Sequence, residues 1–168
     1  DPLKSFPPVT DAVLAAPPPE SWLHWRGTPA ALGFSPLDQI NRKNVGGLTV
    51  AWTLSLPPGP NESTPLVHDG VMFVHSYGDN VQALDAATGD ELWHYRRELP
   101  EGARPSVKRN ISIYGDKVYA GTSDGHVVAL EETARPEVLQ RLRALWTDPE
   151  SYRPKRSNRD ITEDAART

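Results

Sequence analysis

The chain has 168 residues, enough for one hydrophobic core of ordinary size, and its 18 basic and 22 acidic residues leave a net charge of −4. That balance argues against a general nucleic-acid or anionic-membrane binder, and the absence of cysteine excludes disulfides, zinc thiolates and a thiol nucleophile. No apolar run approaches the roughly 20 residues a helix needs to cross a bilayer, and residues 1–8 lack the basic-then-apolar layout of a signal peptide, as expected for the mature form of an exported protein.

Six prolines among the first 20 residues deny the backbone both donors and helical dihedrals, so an extended arm lying on another part of the molecule is expected there. Trp22 and Trp25, either side of His24, are the expected anchor of that arm. Residues 35–41 read as a turn or short helix, and 44–48 lead into a strand over 49–56 that Pro57-Pro58-Gly59-Pro60 ends. From Ser63 to Leu130 the pattern is β throughout: short runs rich in Val, Tyr and Phe are separated by Asp-Gly, Gly-Asp and Thr-Gly turns. The strands predicted are 64–68, 71–76, 80–85, 90–95, 110–114, 117–121 and 126–130. Asp79, Asp85, Asp90 and Asp124 fall at the turns, where aspartate caps backbone donors. The five histidines show no metal-binding spacing. Beyond Ala134, Val138, Leu139, Leu142, Leu145 and Trp146 recur at helical spacing, and the charge changes sign. Residues 135–168 hold eight basic and six acidic side chains, leaving a net −6 on residues 1–134. Three regions are thus expected: an arm and anchor over 1–45, β structure over 46–134, and a short helical tail over 135–168.

The β region repeats itself. At a spacing of 46 residues and without a gap, Gly70-Val71-Met72-Phe73-Val74 lies over Asp116-Lys117-Val118-Tyr119-Ala120, and Val81-Gln82-Ala83-Leu84-Asp85 over Val127-Val128-Ala129-Leu130-Glu131. The second copy then fails, because Thr133-Ala134-Arg135-Pro136 stands where the first has Ala87-Thr88-Gly89-Asp90, and no tryptophan follows to match Trp93.

The run from Ala83 to Trp93, Ala-Leu-Asp-Ala-Ala-Thr-Gly-Asp-Glu-Leu-Trp, resembles the tryptophan-docking repeat of pyrroloquinoline quinone (PQQ) dehydrogenases, in which each blade's Trp packs against its neighbour. Trp22-Leu23-His24-Trp25-Arg26-Gly27, residues 33–41, Val50-Ala51-Trp52-Thr53, Glu62-Ser63-Thr64-Pro65-Leu66-Val67 and Asp69-Gly70-Val71-Met72 resemble, in order, the start of mature PQQ-dependent alcohol dehydrogenases. The resemblance covers roughly residues 5–133. It implies an all-β fold, about two blades of an eight-bladed quinoprotein propeller, in a periplasmic family that oxidises alcohols with PQQ held beside calcium or a lanthanide. It also implies cytochrome c as electron acceptor. Glu62 matches the family's acidic residue at the cofactor's edge, and Arg109 matches the Arg that reaches the quinone's carboxylates, for which a fork-shaped cation is suited.

The same resemblance has limits. The adjacent cysteines that cover the quinone in many members are missing, since Ser106-Val107 follows Arg104-Pro105. The family's metal ligands and catalytic base belong to later blades and have no counterpart in this chain, which is expected to be inactive and not to bind PQQ alone. The remaining blades, or an oligomeric partner, would have to supply them. Two other readings stand beside this one. One is a non-catalytic propeller module for protein binding; the other is a fusion, because residues 139–168 are also similar to the segment ahead of the methylase domain in some large DNA-modifying enzymes. That tail has neither an S-adenosylmethionine loop nor an Asn-Pro-Pro-Tyr motif, and a short helix with a solvated Arg face is the commoner explanation.

Overall fold

The computed structural model describes residues 2–131. The helical tail expected over 135–168, with its similarity to methylase-associated segments, lies outside the described residues.

Among the described residues seven antiparallel strands form two sheets. β1 (Leu66–His68), β2 (Val71–Ser76), β3 (Asn80–Asp85) and β4 (Glu91–Arg96) make a four-stranded sheet in sequence order. β5 (Ile111–Tyr114), β6 (Lys117–Gly121) and β7 (Val127–Glu131) make a three-stranded one, also in sequence order. Each strand falls within two residues of its predicted bounds. The 46-residue repeat is visible in three dimensions, since β2 and β3 correspond to β6 and β7.

The turns explain why. Between β1 and β2 both Asp69 and Gly70 take positive φ, 46° and 76°, the geometry whose twist matches the strands it joins. Between β3 and β4 the Asp85 carboxylate accepts hydrogen bonds from Ala87 N and Thr88 N at 2.9 and 3.2 Å, while the Thr88 hydroxyl donates to Asp90 at 2.8 Å. Asp85 therefore caps its turn as its sequence position predicts.

Alternation along the strands builds a single core across both sheets. Leu66, Val71, Phe73, Val81, Ala83 and Trp93 from the first meet Ile111, Ile113, Val118, Ala120, Val128 and Leu130 from the second. Trp93 lies opposite Ala83, beside a register shift at Ala83/Leu84, and its ring is tilted 49° against Phe73 at 6.1 Å. Phe6 extends this aromatic row from the arm, meeting Phe73 edge-on at 5.8 Å and His68 at 5.3 Å.

Three expectations are revised. The arm is not extended throughout: a short 3-10 turn occupies Pro2–Ser5, and the proline-free stretch forms the helix α1 (Asp11–Ala15), capped by the Thr10 hydroxyl. It does lie on the β body, through Val9 paired with Gly115 and Trp22 paired with Val67. The anchor is Val9, half-buried Trp22 and Leu23, without the second tryptophan: Trp25 is 60% exposed under the Arg26 guanidinium. Residues 49–56 are not a strand. Their pattern suits one, but among the described residues no neighbour offers a ladder, and a strand without a partner leaves its backbone groups to water.

The two sheets are also tied by charge. Lys108 and Asp79 form a fully buried ion pair, with Asp79 accepting from Ser123 N at 3.0 and 3.1 Å and Lys108 donating to Ser106 Oγ at 3.1 Å. Arg97, at the end of β4, holds Asp124 of the β6–β7 turn at 2.6 Å, both largely buried. Asp79 and Asp124 thus link the sheets across their turns instead of only capping them.

Candidate cofactor-edge site

Glu62 and Arg109 come together. Arg109 Nη2 lies 3.1 Å from Glu62 Oε2, and both side chains are well exposed, at 70% and 51%. Their neighbours explain the placement. Asn61 accepts from Tyr77 N at 2.7 Å and donates to Pro57 O and Gly59 O, both at 3.0 Å. Lys108 is fixed by Asp79. Asn61 and Lys108 then form a parallel β-bridge, and Thr64 N donates to Arg109 O at 3.4 Å. Two buried or half-buried residues, one step before Glu62 and one before Arg109, therefore set the exposed pair side by side.

Sequence reading found the pair but missed these supports. Lys108 carries no local signal, because its partner Asp79 comes from another sheet. Asn61 reads in sequence as the start of a glycosylation sequon, whereas its side chain is spent on the backbone around it.

Beyond the pair a shallow pocket of about 200 Å³ is lined by Leu23, His24, Trp25, Thr64, Leu66, Asn110, Ile111 and Ser112. His24 Nε2 is bonded to Leu14 O at 2.8 Å, which turns that ring to the arm. Among the described residues no three His, Asp or Glu side chains gather as a metal would require. The residues present therefore fit one edge of a planar polycarboxylate: a guanidinium fork for its carboxylates and an acid beside it. They do not make a complete site for such a group.

A second feature was not foreseen. Trp52 covers the Thr88-Gly89 turn, so closely that a Cβ at Gly89 would stand 2.6 Å from its ring, and its indole N–H donates to Ala86 O at 3.2 Å. Gly89 has φ of 77°, so turn geometry and ring contact both require glycine there. The signal was the Thr-Gly turn itself, which marks a place where something packs against the backbone.

Much of the chain is similar to known proteins. Residues 22–136 match the PQQ family of glucose/ethanol/alcohol dehydrogenase β-propeller domains. The quinohemoprotein alcohol dehydrogenase ADH IIB of Pseudomonas putida is 44% identical over 138 residues, 76% of this chain and 19% of its own. Among solved structures, quinohemoprotein alcohol dehydrogenase ADHIIG of Pseudomonas putida HK5 superposes with a TM-score of 0.68 at 34% identity, over 77% of this chain and 20% of its own. A europium-containing methanol dehydrogenase superposes with a TM-score of 0.64 at 30% identity, over 71% of this chain and 22% of its own. The chain thus spans between 15% and 22% of the length of these and similar relatives. Its two sheets are propeller sheets, and the chain belongs to the PQQ-dependent glucose/ethanol/alcohol dehydrogenase family.

Proposed function

We propose that this chain is the opening portion of a PQQ-dependent alcohol dehydrogenase and contributes one edge of the cofactor site. The observation that carries the reading is the Glu62–Arg109 pair, exposed just ahead of β1 and β5 and held there by Asn61 and Lys108. Arg109 binds a carboxylate of the quinone through its fork, and Glu62 orients that fork and faces the cofactor's edge. When bound with its calcium or lanthanide, PQQ supplies a carbonyl that accepts hydride from an alcohol. Trp52 over Gly89 is the contact by which a neighbouring blade's segment docks on this one, and Trp93 serves the core between the two sheets present. The resemblance to periplasmic enzymes supports a periplasmic setting, and relatives named as quinohemoproteins support a cytochrome c or haem acceptor. The remaining blades come from a partner or from further sequence.

The energetics set the expected behaviour of the chain by itself. Two exposed polar contacts contribute about 1–2 kcal/mol together, against the roughly 8 kcal/mol that micromolar affinity requires. Titration of the purified 168-residue chain with PQQ and calcium, followed by absorbance and by dye reduction with ethanol, is expected to show neither micromolar binding nor turnover. Micromolar binding with turnover would overturn the reading of the chain as one edge of the site.

A further inference from the structure

In β2, Val71, Phe73 and His75 alternate onto one face. Val71 and Phe73 belong to the core, as do Ala83 and Val81, which stand opposite Phe73 and His75 in β3. His75 is therefore an imidazole at a core position, 2% exposed, where an aliphatic side chain would suit the pattern. A buried polar ring costs stability unless it is bonded. Its bond leaves the first sheet: Nδ1 lies 3.4 Å from the carbonyl oxygen of Asn110, the residue that follows Arg109 and precedes β5. A carbonyl only accepts, so the ring donates from Nδ1. Burial, aided by the Lys108 charge, lowers the ring's pKa against the opposing pull of the Asn110 bond and Asp79, so His75 is neutral at neutral pH.

Arg109 is thereby held on both flanks from the first sheet. Asp79, in the turn that follows β2, pairs with Lys108 on one side; His75 holds Asn110 on the other. The carbonyl of Arg109 itself accepts from Thr64 N at 3.4 Å. Only the Arg109 side chain is left in solvent. We propose that His75 is a positioning residue for Arg109: by holding the Asn110 carbonyl it fixes the backbone from which the guanidinium fork reaches a carboxylate of the cofactor. The cofactor half of this inference rests on the reading of Glu62 and Arg109 as an edge of the PQQ site. The second sheet fixes the chain only from Ile111 onward, and there to β6. His75 adds the tie to the first sheet, ahead of which Glu62 stands, so the acid and the fork share one frame. A fork already aimed loses less freedom when its ligand binds.

The test has two arms. His75→Leu keeps similar bulk at the core position without the donor, and His75→Asn places an amide N–H where Nδ1 stands. The first arm is 15N relaxation of the full chain, which reads position without cofactor. Order parameters at Arg109 and Asn110 are expected at about 0.85, as in β2 and β6, and His75→Leu should lower these two toward about 0.6. The urea midpoint of His75→Leu should not fall, because leucine suits the face and Asn110 is exposed, so water takes the freed carbonyl. His75→Asn should restore the order. The second arm is PQQ titration of a holoenzyme in which residues 22–134 of this chain replace the matching portion of Pseudomonas putida ADH IIB. There His75→Leu should weaken binding about three- to tenfold, the cost of ordering one long side chain on binding, and should add nothing in an Arg109→Ala background. Order unchanged by His75→Leu overturns the proposal, as does a loss of affinity that His75→Leu still causes once Arg109 is alanine. Unchanged affinity in His75→Leu overturns it too where Arg109→Ala weakens binding. Where Arg109→Ala leaves the affinity unchanged, the cofactor-edge reading falls, and the cofactor role of His75 falls with it.

Discussion

Trp93→Ala is expected to lower the stability of the chain by about 3–5 kcal/mol, read as a clear fall in the urea midpoint. Trp93 is only 3% exposed and lies in the hydrophobic cluster that reaches from β1 to β7. Its loss opens a cavity against Phe73, which in turn supports Phe6 of the arm, so the damage is not confined to one strand. Collapse into the space is limited because the residue opposite is Ala83, with no side chain able to fill it. Trp52→Ala should cost less, since Trp52 is half-buried and packs on a turn. Equal midpoints for Trp93→Ala and the parent chain would remove Trp93 from the core.

The second large effect is expected from Asp79→Asn, about 3–5 kcal/mol. The substitution keeps the side chain's shape and its tolerance of positive φ, here 56°, but leaves the Lys108 ammonium buried without a counter-charge. Asp79→Asn combined with Lys108→Met should recover most of the loss, because the cost lies in the unpaired charge and not in the missing bond. A double variant no better than the single one would contradict this.

The same groups fix the pH dependence. Burial pushes the Asp79 carboxyl up, but the hydrogen bonds from Lys108 and Ser123 outweigh it and hold the group below its usual range. The Arg97 hydrogen bond, against burial, holds Asp124 far below it. Both contributions are complete above the unfolded carboxylate value of about 3.9 and are lost as pH falls through the lowered folded values. Burial also depresses His68 and His75 below 6.5, so the unfolded chain takes up those protons first. Stability should therefore begin to decline below about pH 6.5 and fall more steeply below about pH 4. Asp79→Asn should flatten the steep part.

What could be read in the sequence was local. The strands from 66 to 131 declare themselves by alternation and by turns such as Asp69-Gly70, whose geometry is decided within four residues. Glu62 and Arg109 stand out through a resemblance in the motifs around them, and the fold places them 3.1 Å apart. What could not be read was carried by partners distant in sequence. Residues 49–56 have a strand's composition, but a strand exists only with a neighbour to pair with. Asp79 and Asp124 look like ordinary turn aspartates until the packing of the sheets brings Lys108 and Arg97 to them. Trp52 gives no sign in sequence that it seats on Gly89, and Asn61 none that it fixes the approach to Glu62.

Glu62 and Arg109 are proposed here as one edge of a PQQ site. The most direct measurement grafts residues 22–134 of this chain in place of the matching portion of Pseudomonas putida alcohol dehydrogenase ADH IIB, to which it is 44% identical, and titrates the purified chimera with PQQ. The chimera is expected to bind PQQ and oxidise ethanol. Arg109→Ala within it should weaken PQQ binding about ten- to a hundredfold, the worth of a charge-assisted hydrogen bond pair, and Glu62→Gln should weaken it less. A folded chimera whose PQQ affinity is unchanged by Arg109→Ala and Glu62→Gln would contradict the account.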